Sequence, residues 1–104
     1  MRRILYIARR GTAMRPVSYL ITNFIEKTMN GKGLSLFITA DGKYLAMDKS
    51  YDTIFKFDLI FSDSDFSCQI LAKSEQGLML KHSVNIPWTS GNALRDFMEY
   101  VRQL

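Results

Sequence analysis

Between Pro16 and Met29 the residues Val17, Leu20, Ile21, Phe24, Ile25 and Met29 recur at helical spacing, while Thr22, Asn23, Glu26 and Lys27 fill the other side. Proline fits a first helical turn, where its missing N–H costs little, and Asn30-Gly31 supplies residues that tolerate a left-handed helix end. The spacing predicts a helix over residues 16–29 with its apolar stripe in the core. Upstream, residues 2–8 place Ile4 and Tyr6 opposite Leu5 and Ile7, so both faces are apolar and a strand within a sheet or under a helix is expected. Gly11 then frees the backbone for a turn.

Downstream the period changes from three or four residues to two. Leu34, Leu36 and Ile38 alternate with Ser35, Phe37 and Thr39, and Ala40-Asp41-Gly42 offers a tight reversal into residues 43–47, which predicts a hairpin. A second hairpin is expected after the polar Ser62-Asp63-Ser64-Asp65 turn. Phe66, Cys68, Ile70 and Ala72 share one face there, and alternation resumes over residues 78–84 beyond Gly77. Ile86-Pro87-Trp88 is expected to break the ladder, and Thr89 or Ser90 to cap a last helix carrying Leu94, Phe97, Met98, Val101 and Leu104 on one side. Residues 51–61 satisfy two patterns: Phe55, Phe57, Leu59 and Phe61 alternate as in a strand, whereas Ile54, Phe57, Asp58 and Phe61 lie along a helical face. Aromatic and β-branched content favours the strand.

This order of elements is that of an α+β domain: a small single-layer, largely antiparallel sheet with two or three packed helices. The 104 residues suit one compact domain over residues 1–104, and 47% apolar with 23% charged residues is a folded composition. Cys68 is the one cysteine, so no intrachain disulfide can form and a reducing compartment is expected. The run "ILYIA" is cut short by Arg9-Arg10, unlike a secretory signal, and no apolar run reaches the length of a membrane span. The expectation is a cytoplasmic chain without a membrane partner.

Charge changes the picture more than composition does. The net charge is +4, and Arg2, Arg3, Arg9, Arg10 and Arg15 supply five of the seven arginines before the first acidic residue, Glu26. Such an end suits an anionic partner. Candidate chemistry elsewhere is sparse. A Cys68–His82 nucleophilic pair would require the two side chains to meet. Asp63 and Asp65, with Asp41, Asp48, Asp52 and Asp58 in nearby segments, could at most supply a two-carboxylate Mg²⁺ site for nuclease work, and turn formation explains Ser62-Asp63-Ser64-Asp65 better. The glycines match neither the phosphate-loop nor the dinucleotide fingerprint. Neither catalysis nor a cofactor is expected. Double-stranded DNA is the expected partner, with Arg9, Arg10 and Arg15 on the phosphate backbone and Lys43, Lys73 and Lys81 as ribbon-based contacts. The alternative is an adaptor or inhibitor binding a host protein through a Phe/Tyr-rich surface.

Local residues add a resemblance. Tyr19-Leu20, Glu26-Lys27-Thr28-Met29-Asn30-Gly31, Phe37-Ile38 before the Gly42 turn, and "FSDSDFSCQI" at 61–70 are spread over most of the chain, and in this order the chain resembles the carboxy-terminal double-wing DNA-binding domain of the MotA family of bacteriophage transcription factors. The resemblance implies a saddle-like α/β module whose concave face and β-ribbon wings contact double-stranded DNA, phage origin, promoter binding in transcription regulation, and a helix over residues 51–61. The amino-terminal, sigma-contacting domain of that family has no room in this chain. The expectation is therefore an isolated DNA-binding domain or a small relative with a different output.

Overall fold

The computed structural model describes residues 15–104. Two helices flank a five-stranded sheet in the order α1 (Arg15–Gly31), β1 (Ser35–Ile38), β2 (Tyr44–Met47), β3 (Thr53–Phe61), β4 (Asp65–Ser74), β5 (Gly77–Pro87) and α2 (Gly91–Arg102). Each strand pairs antiparallel with the next, so the sheet is a simple open meander, β1-β2-β3-β4-β5. The expected α+β class, antiparallel sheet, hairpins and two of the helices are all present. The strand expected over residues 2–8 lies outside the described residues.

Residues 51–61 resolve in favour of propensity, because Thr53–Phe61 is β3, the central strand. The helix that the resemblance implies is absent there. A helix at this point would leave β2 and β4 without their common neighbour, whereas the strand pairs with both and carries Phe57 into full burial. The second hairpin also runs further than its sequence suggests. Ile86 and Pro87 stay in the ladder opposite Phe66 and Asp65. Pro87 is tolerated because β5 is an edge strand, where a missing N–H need not interrupt pairing.

Register places one side chain in two on each face. Leu36, Ala46, Phe55 and Ala72 form one cross-strand row, and Tyr44, Phe57, Ile70 and His82 the next. This face packs under Ile21, Ile25 and Met29 of α1 and Phe97 and Val101 of α2, giving a single core. An aromatic stack closes one end: the Trp88 ring lies parallel to Phe61 and Phe66, with centroids 6.4 and 5.7 Å away, and Phe97 meets Phe66 edge-on at 5.3 Å. Trp88 Nε1 donates to the Ser62 carbonyl at 2.8 Å, so its polar atom is satisfied. The Ser62-Asp63-Ser64-Asp65 segment is the expected turn, with the Ser62 hydroxyl donating to Asp65 Oδ1 at 2.8 Å. Ser90 caps α2, its Oγ accepting from the Ala93 N–H at 3.2 Å. Lys32, after α1, donates to the carbonyls of Arg102 and Leu104 at 3.0 and 2.8 Å and ties the two helix ends together.

Candidate functional site

Both helices pack on one face of the sheet, and the residues between the core positions define a second face, uncovered among the described residues. The phase is strict in β4, where Phe66, Cys68 and Ile70 are fully buried while Ser67 and Gln69 point the other way. Pairing extends that phase into cross-strand rows. Leu45, Lys56, Leu71 and Leu80 are successive partners in one row, Asp58, Gln69 and Ser83 in a second, and Ile60, Ser67 and Asn85 in a third. A bulge in β5, opposite the Ile70–Leu71 step, skips Lys81 and brings Leu80 onto the uncovered face beside Leu71.

The second and third rows enclose a depression of about 490 Å³ lined by Asp58, Ile60, Ser67, Gln69, Ser83 and Asn85. Its polar groups are neutral apart from Asp58. The Asn85 side-chain amide donates to Ser67 Oγ at 2.8 Å across the β4–β5 pair. Asp58 accepts from Lys43 Nζ at 2.8 Å at the rim. The leucine row lies beyond, and its exposed members with Ile60 give this face an apolar share: Ile60 is 63% exposed and Leu80 59%.

The candidate cations distribute unevenly. Arg9 and Arg10, together with the side chain of Arg15, lie outside what the structure describes; Arg15 opens α1. Lys43 is held by Asp58, and the hydrogen bond it donates to that carboxylate raises its pKa, opposed by desolvation. Lys73 is held by Asp52, one step beyond Leu71 on the same face of β4, and that hydrogen bond with the carboxylate charge raises its pKa in turn. Lys81 is exposed at the bulge and makes no ion pair with a described residue. The structure does not bring Lys43, Lys73 and Lys81 together as a phosphate cluster. Of the 14 basic residues, Arg2, Arg3, Arg9 and Arg10 precede residue 15, and the remaining ten equal the ten acidic residues in number. The whole +4 therefore belongs to those four arginines, and the described body is electrically balanced.

No protein-family model matches the chain, and no curated protein or solved structure matches it significantly.

The nucleophile pair does not assemble. Cys68 and His82 lie on adjacent strands and on the same covered face, but Cys68 pairs with Val84 and His82 with Ile70. Cys68 is fully buried; desolvation, with a smaller contribution from the Asp58 charge, pushes its thiol up to about 12 and keeps it protonated near neutral pH. The His82 ring stacks on Tyr100 of α2 with centroids 4.0 Å apart. Among the described residues, no three His, Cys, Asp or Glu side chains converge as metal ligands. No helix among them is long and apolar enough to cross a membrane.

The residues that sequence reasoning passed over are Ser67, Gln69, Ser83 and Asn85. Their signal was present as the polar phase of "FSCQI" and of the strand after Gly77. Turning that phase into a surface requires the register of β4 against β5, which alternation alone does not supply.

Proposed function

We propose that the protein is a non-enzymatic, double-stranded-DNA-binding module with a role in transcription regulation. The observation that carries this reading is the division of the chain into a net-basic first ten residues and a charge-balanced remainder with a polar sheet face that no described residue covers. Excess positive charge is concentrated in the first ten residues, and a sheet face that no described residue covers presents hydroxyl and amide groups beside one ion-paired lysine, Lys43, and two without an ion pair to a described residue, Lys56 and Lys81. Arginines supply sequence-independent attraction to phosphates, and neutral side chains on a strand face supply contacts to base edges. Lys81 is the described lysine best placed to add a phosphate contact, being exposed and on the strand that borders the polar rows.

Affinity for duplex DNA over a salt series tests this directly. Neutralising Arg9, Arg10 and Arg15 together should flatten the slope of log K against log salt by about 3, each lost phosphate contact contributing roughly 0.9. Duplex binding that is absent at low salt rejects the function, and an unchanged slope rejects the arginine site.

A protein-binding adaptor is the second reading, favoured by the apolar groups that the uncovered face leaves in solvent: Ile60, Leu80 and Tyr51, the last 73% exposed. It requires a stoichiometric protein complex that survives nuclease treatment and is lost in the Leu80→Asp variant.

A further inference from the structure

Ser67, Gln69, Ser83 and Asn85 form two cross-strand pairs, Ser67 with Asn85 and Gln69 with Ser83, on the uncovered face of β4 and β5. We infer that these four side chains read base-pair edges in the major groove of duplex DNA. The inference rests on the DNA-binding function proposed above and assigns its sequence selectivity to neutral side chains rather than to the arginines.

The chemistry of the patch selects bases over phosphates. Amides of Gln and Asn present a donor and an acceptor side by side, the complement of adenine N7 and N6, and serine hydroxyls serve either role. Gln69 and Ser83 make no side-chain hydrogen bond to a described residue, and Asn85 spends one amide proton on Ser67, leaving its carbonyl oxygen and a second proton for a ligand. Asp58 borders the same depression; Lys43 Nζ donates to its Oδ1 at 2.8 Å, and its Oδ2 accepts from no described side chain. That oxygen can accept from a base donor such as cytosine N4.

Spacing agrees with the chemistry. Residues on one face of a strand recur at about 6.8 Å, twice the roughly 3.4 Å step of stacked bases, so the two pairs address positions about two base pairs apart. Adjacent strands are about 4.8 Å apart, and a two-stranded ribbon is within the major groove's width of about 12 Å. Among the described residues β5 is the edge of the sheet, so the β4–β5 ribbon can enter with that edge leading. The bulge sets exposed Lys81 next to this entry.

The test uses the full chain and a randomised duplex library, with Gln69→Ala/Asn85→Ala as the double variant and circular dichroism to establish that it folds. The parent is expected to enrich a defined sequence. The variant's preference for the enriched sequence over mixed-sequence duplex should fall by about 10- to 100-fold. Enrichment of the same sequence by the variant overturns the inference, as does a parent that binds mixed duplex without enriching anything; the proposed function survives both. A parent that binds no duplex, or prefers RNA or a protein, overturns the function and the inference together.

Discussion

The two faces of β4 differ as completely as two residues in sequence allow. Phe66, Cys68 and Ile70 are fully buried under the helices, while Ser67 and Gln69, their immediate neighbours, lie on the side that nothing among the described residues covers. One face is a core in which shape decides; the other carries hydrogen-bonding groups that meet no described element. A two-residue period lets a single strand serve both, and side chains on the second face can change with little cost to the first.

The sharpest way to break this comparison is to truncate one side chain on each face. Phe66→Ala removes the ring that stacks with Phe61 and Trp88 and meets Phe97, and should cost about 3–5 kcal/mol of unfolding free energy in urea melts. The next effect in size comes from Cys68. Its thiol ionises at about 12 in the folded protein against 9.0 as the ordinary value, so the unfolded chain releases this proton first as pH rises. The associated stability is complete below pH 9.0 and is lost towards pH 12. Comparing urea melts of the parent and Cys68→Ala at pH 8 and pH 11, the parent's margin should shrink by roughly 2 kcal/mol. A constant margin would place the thiol in a more polar setting than the covered face. Smallest is Gln69→Ala on the other face, which should stay within about 0.5 kcal/mol of the parent. A loss rivalling that of Phe66→Ala would mean the uncovered face is part of the core.

Local patterning made much of this legible. Apolar spacing revealed α1 and α2, Ser90 is one of the two caps it suggested, and both hairpins are present, the second departing from strict alternation at the bulge that turns Leu80 away from the face of His82. β3 was harder, because the aromatic residues of its strand phase and of a helical phase overlap at Phe57 and Phe61, and only pairing with β2 and β4 separates them. The lysines show a different kind of gap. Lys43 and Lys73 read as free cations along the chain, yet each meets a carboxylate, Asp58 or Asp52, that is 15 or 21 residues distant and adjacent only through register. Pro87 looked like a strand breaker because its sequence does not disclose that β5 is an edge. The arginines were legible as charge, and the balance of the remaining ten basic and ten acidic residues sharpens their part in the proposal.

Recognition through the uncovered face is tested most directly by nuclear magnetic resonance of the full chain titrated with duplex DNA, following side-chain amides and isoleucine methyls. The amides of Gln69 and Asn85 and the methyls of Ile60 should shift progressively, while the methyls of Ile70 and Ile86, fully buried on the covered face, hold their positions. Saturable binding that leaves Gln69, Asn85 and Ile60 unmoved would contradict it.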